Sequence, residues 1–344
     1  MSEYNLTELL FDLCSAGGVS GDEGDAAKKA IEYLSEYMPC ETDALGSVTG
    51  RKEGRGANIL LDAHIDRIGL VVTYIDDSGF LRVAKCGGAD ARVMSASEVT
   101  VWGKKKIYGV VSSIPPHLSK KDEEDEAADF GSVYIDIGMS KEEASKYVSP
   151  GDRITFNSQQ SVLLGGNITS PCLDDRAGVA AILRCLQILK NSGRETCGLT
   201  VLFSVQEETG GSGALAGAFS SNADEAVAVD VGFARAPGVK DEEAGIPGGG
   251  AMVGFAPALD NAMSETLVSL AEKNNIKYQY DVMGSRTGTN CDEISTSAGG
   301  IKTALLSIPL RNMHTAVEVV NVNDVEAVAQ LTAAYILERS DRDA

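Results

Sequence analysis

Residues 198–230, GLTVLFSVQEETGGSGALAGAFSSNADEAVAVD, decide how the chain folds. The run 198–206 is apolar almost throughout and does not alternate, so it reads as a strand buried on both faces. Two adjacent acids, Glu207 and Glu208, and a glycine-rich turn end it. SGALAGAF (212–219) reads as a short helix of small residues, and AVAVD (226–230) as a second apolar strand. Strand, helix, strand, with both strands apolar, is the pattern of a sheet covered on each side.

The same alternation continues outward. Towards the C-terminus, 264–275 reads as a helix, 278–283 and 303–308 as strands, and 324–339 as a closing helix. Towards the N-terminus, 4–16, 24–38 and 176–190 space their apolar residues by three and four, as helices do. ANILLDAH, ending at His64, is a further buried strand. Between Ile68 and Leu163 the texture changes to short alternating runs such as GLVVTYI, EVTVWG and DRITF, parted by turn signals. The expected architecture is α/β. A mixed central sheet flanked by helices is built from residues 1–67 and 164–344, and a β-rich domain, 68–163, is inserted. The charge run Ser119–Asp129 reads as a solvated loop.

Composition narrows the function. The 344 residues carry 30 basic and 50 acidic side chains, a net charge of −20. Such a chain repels nucleic-acid backbones and anionic membrane surfaces and attracts cations. The seven cysteines are odd in number and form no CxxC pair, which suits reduced thiols in the cytoplasm. The opening MSEYNLTELLFDL lacks the basic start of a signal peptide, and no run approaches the roughly 18 apolar residues of a membrane span.

Only three histidines are present. His64 ends one strand and His314 follows another, whereas His117, after two prolines, reads as a loop or interface residue. Glu207, Glu208 and Asp230 also fall at strand ends, and Asp174 precedes a helix beside them. In open α/β sheets, ligands bind outside the carboxyl ends of the strands. Imidazole and carboxylate together hold zinc or cobalt. One bridging aspartate, with a further carboxylate and a histidine for each of two ions, would activate a water at neutral pH. Asp66 is placed to orient the His64 imidazole. Of the vicinal glutamates, one can ligate while the other serves as general base.

The segments NILLDAHIDRIGLVV, CLDDRAGVA, SVQEETGGSGA, AVDVG, GSRTGT and IPLRNMHTAVEVVNVNDVEA, with GGVSGDE, PPHL and VSPGDRITF, resemble the tetrahedral aminopeptidases. That family includes glutamyl and deblocking aminopeptidases, and some members carry an old endoglucanase label. The resemblance implies a metalloaminopeptidase that removes N-terminal residues from short peptides. It implies two divalent ions per subunit: one on His64, Asp174 and Asp230, the other on Asp174, Glu208 and His314, with Glu207 as general base. It also implies dimers made through the insert and assembled into a dodecamer. Arg67 stands where relatives usually carry glutamate, and Asn290 where they carry aspartate, which bears on substrate preference. Cys172 and Cys291 read as structural. A glycoside hydrolase needs two carboxylates but no histidine ligands, and one tryptophan offers little for sugar stacking. A related dinuclear carboxypeptidase or deacylase would share the ligands, and a non-catalytic shell protein would have no use for them.

Overall fold

The computed structural model describes residues 5–113 and 130–342. His117, the PPHL segment and the Ser119–Asp129 charge run lie outside the described residues.

The strand Asn58–His64 lies at the centre of an 11-stranded sheet, between the parallel strands Gly198–Ser204 and Glu225–Phe233. Lys302–Arg311 runs parallel beyond Glu225–Phe233. Antiparallel strands extend the margins, so the sheet is mixed. Successive residues of a strand face opposite ways. Ile59, Leu61 and Ala63 accordingly join the main core with Phe203, Leu306 and the helices Leu173–Ser192 and Val322–Arg342. Leu60, Leu202, Ala226 and Leu305 pack on the other face against the helix Ser212–Ser221. Two-sided burial explains why these strands are apolar at nearly every position.

Several details depart from the sequence reading. Gly198–Ser204 stops before Gln206, which adopts a left-handed φ of 61°, so the vicinal glutamates sit in a single tight helical turn. The strand carrying Asp230 continues to Phe233. It pairs with the His64 strand only as far as Ala228 opposite Asp62, so Asp230 lies just past the point where the two part. The second helix ends at Leu34, short of Pro39. Strands Val48–Lys52, Ala251–Phe255 and Glu318–Asn321 were not legible, being short and flanked by turns. Ser161 and Val162, read as the tail of the insert, pair with Asn167–Ser170 on the margin of the large sheet.

Six strands between Gly69 and Phe156 close into a barrel. The exposed–buried alternation of Lys106–Val111 shows the reason: every second side chain points into a separate core with Leu70, Leu81, Val101 and Ile135. No described helix is long and apolar enough to cross a membrane.

Candidate metal centre

Two groups of potential ligands lie where the central strands end, and they share one residue. His64, Asp174 and Asp230 form one group, and Asp174, Glu208 and His314 the other; within each, the ligand atoms lie within 4.8 Å of one another. The shared aspartate faces both ways. Its Oδ1 is 3.0 Å from His64 Nε2, and its Oδ2 is 3.4 Å from His314 Nε2. Asp230 Oδ1 stands 3.9 Å from His64 Nε2, and Glu208 Oε2 stands 3.4 Å from His314 Nε2.

Local backbone geometry produces this convergence. Continued past Ala228, the parallel register sets Asp230 level with His64. Asp174 and Asp175 divide two tasks. Asp175 accepts the Gly178 N–H at 2.9 Å and so caps the regular part of the helix. Asp174 has non-helical torsions (φ −78°, ψ 107°), which free its carboxylate from the helix, and the peptide between the two is cis. His314 has a left-handed φ of 62°.

Two further residues, Asp66 and Glu318, hold the ligands. Asp66 faces His64 Nδ1, through its carbonyl at 3.1 Å and its carboxylate at 3.4 Å. The same carboxylate accepts the amides of Glu207 (3.0 Å) and Glu208 (3.2 Å) and the hydroxyl of Ser20. Glu318 was missed in the sequence. It is buried in a short strand, and its two oxygens accept the amides of Asp174 (3.1 Å) and His314 (3.0 Å), tying together two ligand-bearing segments. Asp62 was also missed; Asn290 donates to it at 2.8 Å beneath the site. The only sequence signal for either acid was a charge inside an apolar run. From the barrel, Gly87 and Gly88 form a wall: a Cβ on Gly88 would fall 2.2 Å from His314 Nδ1. His314 keeps 33% of its side chain exposed, whereas Glu208 keeps 4%, so the site opens at His314.

The electrostatics call for positive charge. Burial, then repulsion from neighbouring carboxylates, pushes Asp175 well above the usual range. Burial first, with Asp174 or Glu207 the largest repelling neighbour, does the same to Glu208 and Asp230. Burial pushes Glu207 up to about 7 and Asp62 up to about 6. Burial would raise Asp174 too, but hydrogen bonds from His314 and His64 outweigh it and hold Asp174 below the usual range. Bringing this many carboxylates into one buried site is costly unless cations or protons compensate. Two imidazoles and three carboxylates are a donor set for borderline or hard divalent ions, so the residues fit the group.

Other sequence candidates lie outside both groups. The Sγ atoms of Cys172 and Cys14 each point at the other's carbonyl, at 3.6 Å, and Cys291 Sγ points at Ala304 O. Arg67 is buried, and among the described residues its side chain makes one hydrogen bond, to Phe156 O.

The family model described as M42 glutamyl aminopeptidase matches residues 46–331. A putative aminopeptidase of Acetivibrio thermocellus is 34% identical, over 98% of this chain and all of the relative. The lysyl aminopeptidase of Pyrococcus furiosus is 30% identical over 98% of each. The TET1 peptidase of Pyrococcus horikoshii, described as able to assemble into a tetrahedron or a large octahedral shell, superposes with a TM-score of 0.85 at 31% identity, covering 96% of this chain and 99% of that one.

Proposed function

We infer the working of the site from a firm premise: the chain belongs to the M42 glutamyl aminopeptidase family and is an aminopeptidase, hydrolysing peptide bonds at N-termini. We propose that His64, Asp174 and Asp230 hold one divalent ion, that Asp174, Glu208 and His314 hold a second, and that both are zinc or cobalt. The observation carrying this is the two-way facing of the Asp174 carboxylate, one oxygen towards each histidine.

Two such ions supply positive charge that polarises a carbonyl and acidifies water. The protein's own residues do the rest. Glu207 takes the proton of the attacking water on its carboxylate and returns it to the departing amine nitrogen. Its environment suits this, since burial lifts it towards neutrality, where a carboxyl group both accepts and releases protons readily. Asp66 fixes the His64 ring through Nδ1 and holds the Glu207–Glu208 turn by its amides. With two histidines inside the carboxylate cluster, the arrangement differs from the open acid pair of a glycosidase.

The barrel, taken with its flanks as residues 68–163, is proposed as the dimerisation unit, with dimers assembling into a dodecamer in the cytoplasm. Exposed Tyr74, Val93 and Tyr108 on the barrel support this reading, as does the assembly of the Pyrococcus horikoshii peptidase. No disulfide joins the described cysteines, which suits a reducing compartment.

The test is a panel of aminoacyl-anilides assayed after chelation and after readdition of zinc, cobalt or manganese. Activity should vanish with the metal and return with it. Undiminished cleavage by chain proven free of metal overturns the reading, and light scattering showing only monomer overturns the assembly.

A further inference from the structure

A cavity of about 390 Å³ lies where the end of the helix Leu6–Cys14 meets the barrel, and it shares no residue with the metal-ligand groups. Its size suits a small ligand. Its charge runs against that of the chain. The protein has 50 acidic and 30 basic residues, yet the lining holds two bases, Arg67 and Lys106, and no acid.

Arg67 is only 5% exposed. It donates from Nη2 to Phe156 O at 3.3 Å, its Nε has no partner, and it forms no ion pair among the described residues. Behind the helix end, Arg176 is 1% exposed, donates to Leu13 O at 2.9 Å, and leaves Nε and Nη2 unpartnered. The Glu318 carboxylate and the Cys172 thiol lie within electrostatic reach of Arg67, and Cys172 within that of Arg176, yet Arg67 Nε and Arg176 Nε and Nη2 find no hydrogen-bond partner, which is costly for buried N–H groups.

The helix end serves Arg176, through Leu13 O, and makes no hydrogen bond to Arg67. Its last carbonyls are already engaged: Phe11 O by Gln160 Nε2, Asp12 O by Ser15, Leu13 O by Arg176, and Cys14 O by Cys172 Sγ. The remaining polar lining offers donors. Asn157 spends its carbonyl oxygen on Thr100, which leaves its amide N–H groups, and Ser158 Oγ is buried without a partner.

We propose that this cavity binds a small oxyanion, a phosphate or a polycarboxylate, with Arg67 at its base and Lys106 at its mouth. The planar guanidinium suits paired oxygens, and Lys106, exposed and 4.2 Å above the Trp102 ring, adds a mobile charge at the rim.

Trp102 lines the cavity and is the only tryptophan in the chain, so its emission reports occupancy. The metal-loaded full-length protein is titrated with inorganic phosphate and, separately, with citrate at constant ionic strength, and both titrations are repeated after metal removal and dialysis. The expected result is a saturable change in emission with at least one anion, at one site per chain by calorimetry, surviving removal of the metal. Whichever anion binds identifies the ligand chemistry. Lys106→Glu should weaken binding roughly tenfold or more by placing like charge at the mouth, and Arg67→Gln should abolish it. Because Arg67 is buried and its replacement can disturb folding, the exposed Lys106 variant is the decisive one. No saturation by roughly 10 mM of either anion, binding lost with the metal, or binding indifferent to Lys106→Glu would each overturn the proposal.

Discussion

Asp66 accepts the backbone N–H of Glu207 at 3.0 Å, and its second carboxylate oxygen accepts that of Glu208 at 3.2 Å. One carboxylate therefore sets the position of the proposed base and of a proposed ligand, and the same residue steadies the His64 ring through Nδ1. Asp66→Asn keeps the shape but replaces one acceptor with a donor aimed at an N–H. Activity should fall roughly 10- to 100-fold, the usual effect of losing such a support, with smaller loss of bound metal. Steady-state kinetics beside elemental analysis checks this, and unchanged kcat would refute it.

Glu207 and Glu208 should separate by mutation although they are neighbours. Glu208→Gln removes an anionic ligand 3.4 Å from His314 Nε2 and should lower metal occupancy as well as rate. Glu207→Gln should keep metal and peptide binding and lose roughly 10²- to 10⁴-fold in turnover. If Glu207→Gln loses metal while Glu208→Gln retains it, the two roles are reversed.

Glu318→Ala should weaken metal binding without touching a ligand. It frees the amides of Asp174 and His314, the two residues that carry Oδ2 and Nε2 of the second group. A loss of about 10- to 100-fold in metal affinity is expected. A competition titration with a fluorescent chelator measures it, with circular dichroism confirming that the fold survives.

Metal-free protein should lose stability as pH rises from about 4.5 to 7. Burial raises Glu207 from 4.5 to about 7 and Asp62 from 3.8 to about 6, and the folded state therefore prefers their protonated forms. That contribution is complete below the unfolded values and disappears as pH passes through the folded ones. His64, raised because its bonds to Asp174 and Asp66 outweigh burial, acts in the same direction but only above pH 6.5. Among the proposed ligands only Asp174, held low, works the other way, and its loss comes at pH below 3.8. Denaturant melts across this range should show the decline, and bound divalent ions should flatten it by taking the place of the protons.

Much of the site was legible because four of its proposed residues, His64, Glu208, Asp230 and His314, follow apolar runs, where a parallel sheet gathers its functional groups. What could not be read depended on torsions. A left-handed Gln206 moves the two glutamates off the strand, and a left-handed His314 turns its ring inward. Glu318 stayed hidden because a single acid in EVVN, on a four-residue strand, looks like a solvated edge until its two amide partners are known. The pairing of Arg67 with an acid-free cavity was equally unreadable, since its lining comes from segments distant in sequence.

The five proposed ligands are drawn from separate segments between His64 and His314 of a 344-residue chain. A nascent chain lacks His314 until after the other four proposed ligands have been made. If the proposed ligands act together, hydrolytic competence requires the assembled tertiary structure, and a product truncated before His314 should be inert.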